Sequence, residues 1–110
     1  MGTFTKGDIV LFPFPFTDLT QRRLRPCLVL SEEMERDLIL CQITSKYSKK
    51  DRYSIELNQQ ETLNGTLNLD SYIRTNMLFT SSKDQIVRSI CRISKKKYVK
   101  IINSIIKIIS

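Results

Sequence analysis

Short apolar runs separated by polar turns recur along the chain, and this pattern predicts a protein built mainly from β-strands. The first run, residues 9–12, is interrupted by Pro13 and Pro15, which predicts either an edge position in a sheet or an early end of the strand. Residues 24–31 and 37–44 are two further runs, and the charged connection between them predicts an antiparallel hairpin.

The rest of the chain continues the pattern and ends in a helix. Residues 53–57 alternate apolar and polar side chains, as in a half-buried strand, and residues 72–79 and 87–93 predict two more strands. The Asn-Gly pair at 64–65 is a turn signal. Ser94 is predicted to cap a final helix whose apolar residues recur at helical spacing: Val99, Ile102, Ile105, Ile106 and Ile109. Five or six short strands with few crossover helices predict a small, strongly bent antiparallel sheet or barrel, with one helix packed against it.

The composition fits one small domain, residues 1–110, that is long enough for a single core. Eighteen Lys and Arg against eleven Asp and Glu give a net charge of +7, which favours a polyanionic partner, with a merely solubilising surface charge as the alternative. No apolar stretch reaches the length of a membrane span, and the amino terminus lacks the core of a signal peptide. We therefore expect a soluble protein with no membrane partner.

Three cysteines and the absence of histidine bear on metal binding and on location. Cys27, Cys41 and Cys91 show no C-x-x-C spacing, and a zinc site needs four nitrogen or sulfur ligands, so no metal is expected. All three lie in apolar, strand-like runs, where cysteine behaves as a small buried hydrophobe. These features predict a cytoplasmic protein, because the cytoplasm keeps thiols reduced.

The most informative segment begins at Arg25, which precedes Pro26 at the start of a predicted strand. A residue before proline is pushed out of the α region, so we expect Arg25 at the mouth of the strand, with its guanidinium free to leave the sheet. Two hydroxyls, at residues 44–45, end the next predicted strand. If the two strands are adjacent, a fixed cation and a hydroxyl pair converge in a geometry that can bind phosphate. The alternative is a surface arginine that pairs with Glu32 or Glu33.

Four short motifs occur in a fixed order along the chain. They are Gly7-Asp8-Ile9-Val10, Arg25-Pro26-Cys27-Leu28-Val29-Leu30, Ile43-Thr44-Ser45, and Tyr72-Ile73-Arg74 with Phe79-Thr80 after it. With these motifs and a first loop at residues 12–20, the chain resembles the PemK/MazF family of toxin endoribonucleases over nearly its whole length. The resemblance implies a mainly β fold with α, an SH3-like barrel of five to six short strands plus a C-terminal helix, which pairs as a homodimer. It also implies metal-independent cleavage of single-stranded RNA (mRNA) at short sequence motifs, no cofactor, and neutralisation by a cognate antitoxin.

The same resemblance assigns site residues. By motif, the family's catalytic arginine falls on Arg25 and its catalytic threonine on Thr44. Ser45 and Arg74 match further positions attributed to the active site in some members. Asn76 stands where some relatives carry an acidic residue, and the chain lacks the loop histidine that other members use. Taken alone, Thr44 is an ordinary strand-forming residue.

The chemistry that these residues can support is internal attack, in which the 2′-hydroxyl of RNA displaces the 5′-oxygen at phosphorus. The transition state carries extra negative charge, and Arg25 offers a planar fork of donors that would stabilise it. Thr44 can donate its hydroxyl to another phosphoryl oxygen or orient the 2′-hydroxyl. Because histidine is absent, the general base stays open, and the candidates are Asp18, Glu56 and solvent.

Cations in the two loops beside the expected site are candidates for following an RNA backbone, with a solvated charged face as the alternative. They are Arg22, Arg23, Lys46, Lys49, Lys50 and Arg52. Phe14 and Phe16 could stack on splayed bases, or they could pack in the core or in a dimer interface.

Two other functions remain open from the sequence. One is a non-catalytic toxin of the same barrel fold that poisons DNA gyrase, as the related CcdB proteins do; it would depend on the final helix, and Arg25 and Thr44 would be incidental. The other is a basic SH3-like nucleic-acid-binding module without chemistry. Incubation with labelled RNA in excess EDTA distinguishes the nuclease from both.

Overall fold

The computed structural model describes residues 3–15, 22–45 and 51–110, and in these ranges the chain forms seven β-strands and one α-helix. The strands are β1 (Asp8–Pro15), β2 (Arg22–Val29), β3 (Asp37–Thr44), β4 (Ser54–Leu57), β5 (Thr62–Leu63), β6 (Ser71–Ser82) and β7 (Arg88–Ile93), and the helix is α1 (Lys95–Ile109). Neighbouring strands are antiparallel, in the order β4-β6-β3-β2-β1-β7-β5. The sheet curls into a nearly closed barrel with α1 packed against it, and the predicted fold class is confirmed.

The number of strands and their boundaries differ slightly from the prediction. The described ranges hold seven strands rather than five or six, because the two-residue β5 is too short to carry an alternating pattern. β2 begins at Arg22 rather than at residue 24, and β6 runs to Ser82 rather than to residue 79. β2 and β3 pair as the predicted antiparallel hairpin.

β1 continues through both of its prolines, so the expected early strand end is wrong. β1 is not an edge strand either, because it lies between β2 and β7, but its stretch beyond Leu11 has no paired neighbour on the β7 side among the described residues. β1 pairs with β7 from Asp8 to Leu11 and with β2 from Ile9 to Pro15. The carbonyl of Leu11 accepts a hydrogen bond from Val87 N–H on the β7 side, at 2.9 Å. Because backbone groups alternate along a strand, Pro13 and Pro15 also direct their nitrogens to that side, where β1 has passed the end of its pairing with β7.

The main hydrophobic core lies between the sheet and α1. Its buried residues include Ile9, Leu28, Cys41, Ile43, Leu57, Ile73, Cys91, Ile93, Ile101 and Ile105. The three cysteines are free and buried, as predicted. Ser94 caps α1 as predicted, because its Oγ accepts a hydrogen bond from the N–H of Lys97 at 3.1 Å. Within the described ranges, no helix is long and apolar enough to cross a lipid bilayer.

Only some of the apolar residues predicted to form one stripe of α1 lie on its buried face. Ile105 is buried and Ile102 packs against the core, whereas Val99, Ile106 and Ile109 are exposed. Isoleucine occupies so many positions of this helix that the sequence pattern does not separate the core-facing side from its neighbour.

A second hydrophobic cluster covers the opposite face of the sheet. Its buried members are Val10, Cys27, Val29, Leu38, Leu40 and Ile86. Three half-buried rings, Phe12, Phe14 and Phe79, pack on this cluster with centroids between 5.1 and 5.6 Å apart. Phe14 therefore packs in the core, which was one of its three expected roles.

The Gly7-Asp8 motif fixes the start of β1. Asp8 is 7% exposed, and its carboxylate accepts hydrogen bonds from Arg92 Nη1 at 2.6 Å and from the N–H of Thr5 at 3.0 Å. Gly7 adopts a φ of +94°, a conformation that favours glycine. The motif therefore links the start of β1 to Arg92 of β7. It thereby fixes the strand with which β2 pairs.

Candidate active site

The pairing of β2 with β3 ends early, at Pro26. The two strands pair over residues 27–29 and 40–42, and no pair forms between residues 22–26 of β2 and 43–44 of β3. The N–H of Leu30 donates to the carbonyl of Ile39 on β3 at 2.9 Å. By the same alternation the nitrogen of Pro26 is directed toward β3, but proline has no hydrogen to donate. Pro26 therefore ends the ladder, and a cleft opens between β2 and β3, which we call the β2–β3 cleft.

Arg25 and Thr44 lie on the same face of the sheet at this cleft. Two-residue alternation puts Arg25 on the face of Cys27, which belongs to the second cluster. It likewise puts Thr44 on the face of Leu40, a member of the same cluster. If the register of Cys27 with Gln42 continued for two residues, Arg25 would be opposite Thr44. The cation and the hydroxyl therefore border the cleft from adjacent strands.

A cavity of about 260 Å³ occupies the β2–β3 cleft. It is lined by Arg23, Leu24, Arg25, Pro26, Ile43, Thr44, Ser45 and Ser71. Thr44 is 8% exposed, Arg25 is half-buried and Ser45 is exposed. Four of the predicted site residues, Arg23, Arg25, Thr44 and Ser45, thus meet around one cavity.

The position of Arg25 corrects one expectation from the sequence. Arg25 is not at the mouth of a strand, because β2 begins at Arg22 and Arg25 pairs with Phe12 of β1. Pro26 keeps the backbone of the residue before it, Arg25, extended, as expected, but this residue lies within the strand. On the β3 side Arg25 lies beyond the last pair, so its side chain still reaches the cleft.

The carboxylates considered as surface partners of Arg25 bind other groups. Glu32 accepts a hydrogen bond from Thr5 Oγ1 at 3.3 Å. Glu33 accepts hydrogen bonds from a backbone N–H and from Lys83 Nζ, at 3.0 Å for the lysine, and these bonds hold the pKa of Glu33 below its usual 4.5. Among the described residues Arg25 forms no ion pair. Within the described ranges, its guanidinium is therefore not engaged by a carboxylate.

Arg74 lies at a bulge in β6, on the same face as Thr44. Tyr72 pairs with Thr44, and Arg74 follows Tyr72 by two residues. The register between β3 and β6 shifts here, so that residues 74–77 bulge out of the ladder, with Asn76 exposed. Arg74 does not line the cavity, and its Nε is buried without a hydrogen-bond partner in the described part of the chain.

Other predicted residues lie away from the cleft. Arg52 is placed over the ring of Tyr53, 5.1 Å from its centroid, beside a different cavity that Lys107 of α1 also lines. Glu56 is exposed on β4 and lines a third cavity with Lys100. The cavity at the β2–β3 cleft thus has no carboxylate among the described residues that line it. Phe16, Asp18, Lys46, Lys49, Lys50 and the side chain of Arg22 lie outside the described residues.

Sequence reasoning overlooked Tyr72, Leu24 and Ser71. Tyr72 is directly opposite Thr44, and alternation within the Tyr72-Ile73-Arg74 motif is the signal that would have placed it beside Arg74. Leu24 is 48% exposed in the wall of the cavity. Its place next to Arg25 in the predicted strand is the signal that would have found it. Ser71 reaches the cavity only because β6 pairs with β3, and no local sequence signal marks it.

Comparison with known proteins gives a match in sequence at the level of a family. The model of a family described as PemK-like, MazF-like toxin of type II toxin-antitoxin system matches residues 5–109. A comparison with individual curated proteins gave no match.

Solved structures of low sequence identity share the fold. MazE-MazF (Form-III) from Deinococcus radiodurans is similar with a TM-score of 0.78 and 12% identity, over 98% of this chain and 97% of that chain. An endoribonuclease from Mycobacterial species is similar with a TM-score of 0.69 and 13% identity, over 97% and 91%. The Mycobacterium tuberculosis toxin MazF-mt6 has a TM-score of 0.68 and 16% identity, over 89% and 91%. At such identities the likeness shows the fold.

Proposed function

Since the chain belongs to the PemK-like, MazF-like toxin family of type II toxin-antitoxin systems, we propose that it is a sequence-selective, metal-independent endoribonuclease that cleaves single-stranded RNA, including mRNA. The observation that carries the proposal is that Arg25 and Thr44, on adjacent strands and one face of the sheet, line the same cavity. The mycobacterial proteins of similar fold, which are described as endoribonucleases, support it.

The proposed reaction is attack of the 2′-hydroxyl on the adjacent phosphorus, which leaves a 2′,3′-cyclic phosphate and a 5′-hydroxyl. Arg25 binds the phosphoryl oxygens through its guanidinium and stabilises the charge that develops in the transition state, an effect on the order of 3 kcal/mol for one well-placed donor. Thr44 donates its hydroxyl to a second oxygen or orients the 2′-hydroxyl. Since Glu56 does not border the cavity, Asp18 or solvent is the candidate that accepts the proton.

Further residues are proposed to hold the RNA. Ser45 and Arg23 line the same cavity and would bind the scissile phosphate or its neighbour. Arg74 shares the face of Thr44 and would add positive charge to the site. The remaining basic candidates for the RNA backbone are Arg22, Lys46, Lys49, Lys50 and Arg52, with Phe16 as a stacking residue.

We also propose a cognate antitoxin, a homodimer and a cytoplasmic location. Structures of similar fold include a MazE-MazF pair and a mycobacterial endoribonuclease in complex with its cognate antitoxin, which supports the antitoxin. Val99, Ile106 and Ile109 of α1 are exposed, and such apolar side chains favour a covering partner, which supports the dimer.

The test is incubation of the purified chain with end-labelled single-stranded RNA in excess EDTA. We expect a small set of cuts at a short motif, with 5′-hydroxyl ends that a polynucleotide kinase labels directly. Arg25→Ala should lower the rate by about 100- to 1,000-fold. Arg36→Ala is the matched control, since it removes the same charge from a surface arginine that pairs with Asp84.

Two results would contradict the proposal. Intact RNA together with inhibition of gyrase supercoiling would favour the CcdB-like poison. Binding of RNA without cleavage, equal for the unmodified chain and Arg25→Ala, would favour a binding module.

A further inference from the structure

A larger cavity, of about 380 Å³, adjoins the cavity of Arg25 and Thr44. The two cavities share four lining residues: Leu24, Pro26, Ser45 and Ser71. A ligand held at the β2–β3 cleft can therefore extend into the larger cavity without leaving the surface. Ligand pockets commonly measure about 300–1,000 Å³, so this one is of the size for a single small unit rather than for a long chain.

The walls of the larger cavity combine apolar surface with one uncommitted amide. Leu24 is 48% exposed and Leu69 is 61% exposed, which leaves two large apolar side chains open at the cavity. Asn68 also lines the cavity, and its side chain makes no hydrogen bond to any described residue. Apolar faces with a free amide at the edge complement a nucleobase, which has flat apolar faces and a polar edge.

The segment that carries Asn68 has no regular secondary structure, yet its backbone is held in place. Gln59 Nε2 donates to the carbonyls of Leu67 and Asn68 at 2.8 and 2.9 Å, and the N–H of Gln59 donates to Asp70 Oδ1 at 2.8 Å. The hydroxyl of Ser71 donates a hydrogen bond to the carbonyl of Leu69 at 2.9 Å. The wall is therefore preformed, and a preformed wall can read a base at a low cost in ordering.

Arg88 supplies a positive charge at the other side of the larger cavity. It pairs with Leu11 of β1, and Leu11 pairs with Pro26 of β2, so the three residues form a row across three strands. Two strand spacings separate Arg88 from Pro26, which is about 10 Å between their Cα atoms. Arg88 is exposed and forms no ion pair within the described ranges. A second phosphate of a bound RNA would find its partner here.

The geometry points to a nucleotide subsite in this cavity, next to the scissile phosphate. One base lies against Leu24 and Leu69, the amide of Asn68 reads its edge, and Arg88 binds the phosphate on its outer side. The inference rests on the proposed RNA cleavage, and it names the residues that would determine which RNA sequence is cut. An apolar peptide side chain is less well suited to this cavity, because it would contact the leucines without using the amide of Asn68.

The first test compares where the variants cut. Asn68→Ala and Asn68→Asp are incubated with an RNA library of random sequence, and the cut ends are sequenced; Asn103→Ala, at an exposed position of α1, is the matched control. At the preferred site we expect Asn68→Ala to cut about 10- to 100-fold more slowly and to lose preference at one base next to the cut. Asn68→Asp should change which base is preferred there, and Asn103→Ala should cut as the unmodified chain does.

A cut pattern identical in the unmodified chain and in both Asn68 variants overturns the subsite and leaves the endoribonuclease standing. Absence of any cut by the unmodified chain overturns both. Melting temperatures of the variants, measured beside the unmodified chain, show that a changed pattern does not come from unfolding.

The second test concerns the outer phosphate. We expect Arg88→Ala to raise KM with little change in kcat, and to reduce the slope of log KM against log salt concentration by about one. Lys95→Ala removes an exposed charge at the start of α1 and should leave that slope unchanged. A slope that does not differ between Arg88→Ala and the unmodified chain removes Arg88 from the subsite.

Discussion

The thiol of Cys41 donates a hydrogen bond to the carbonyl oxygen of Arg74, 3.0 Å away. That carbonyl lies at the start of the bulge in β6, where the ladder with β3 is interrupted. Burial raises the pKa of Cys41 to about 12, so the sulfur keeps its proton at any physiological pH and remains a donor. The buried thiol of Cys41 thus helps to fix the backbone of Arg74 at the bulge.

Loss of this thiol should destabilise the chain by more than the lost volume alone. Cys41→Ala is expected to lower the free energy of unfolding by about 2 kcal/mol, through a small cavity and an unpaired buried carbonyl. Cys27→Ala is the control, because Cys27 is equally buried and makes no hydrogen bond to the described residues. Urea unfolding of the two variants measures the difference, and equal midpoints would show that the bond to Arg74 contributes nothing.

The hydroxyl of Thr44 should matter more to cleavage than to folding. Thr44→Val keeps the shape of the side chain and is expected to slow cleavage roughly 100-fold, because one donor to the phosphoryl oxygens is gone. Thr44→Ser restores the donor and should recover most of the rate. Single-turnover rates with a saturating RNA make the comparison, and a Thr44→Val chain as active as Thr44→Ser would remove the hydroxyl from the mechanism.

Acid should weaken the link between the turn after β4 and the start of α1. Glu61 accepts hydrogen bonds from the N–H of Asn58 at 2.8 Å and from Lys97 Nζ at 3.0 Å, and these groups, the N–H first, hold the pKa of Glu61 below its usual 4.5. A carboxyl whose pKa is lower in the folded state stabilises the fold above the unfolded pKa. That stability is lost as pH falls through the folded value.

We therefore expect the difference in unfolding free energy between the unmodified chain and Glu61→Gln to be constant above about pH 5 and to shrink as pH falls below 4.5. Urea unfolding at a series of pH values measures it. Glu56→Gln, at an exposed position of β4, serves as the control for removal of a charge. A difference that does not vary with pH would show that Glu61 gains nothing from its partners.

Gly65 should tolerate no side chain. It has a φ of +135°, and a Cβ at this position would lie 2.3 Å from the carbonyl oxygen of Ile90. Gly65→Ala is expected to cost about 3 kcal/mol, from backbone strain and displacement of the segment beside β7. Gly7→Ala is the comparison, since its φ is also positive but its Cβ would meet its nearest neighbour at 3.6 Å, and about 1 kcal/mol is expected. Equal melting temperatures for the two variants would contradict the steric argument.

The strands and the helix cap follow from local rules, whereas the site depends on how strands pair. The charged connection between two apolar runs predicted the hairpin of β2 and β3, and Ser94 was predicted as the cap of α1. The bulge at 74–77 changes which residues of β6 share a face, and no alternating pattern announces such a shift. The place of Arg25 inside β2 rather than at its mouth also depends on its partner in β1.

Loop cations were harder to place than strand residues. Arg23, in β2, lines the cavity with Arg25, because strand register fixes both. Arg52 was selected as a cation in a loop beside the expected site, and it lies instead over the ring of Tyr53, near α1. A charged residue in a loop can be recognised from the sequence, but the side on which its side chain lies cannot. In a strand, the two-residue alternation also predicts the face of the sheet.

Pro26 removes a single donor from the sheet, and the consequence is an unfilled gap between two adjacent strands. An ordinary residue there would supply an N–H to the carbonyl of Ile43, and pairing could continue to Arg25 and Thr44. Their Cα atoms would then be about 5 Å apart, which leaves no room for a phosphate group between the strands. The covalent ring of one residue therefore accounts for the gap between the two strands where Arg25 and Thr44 line a common cavity.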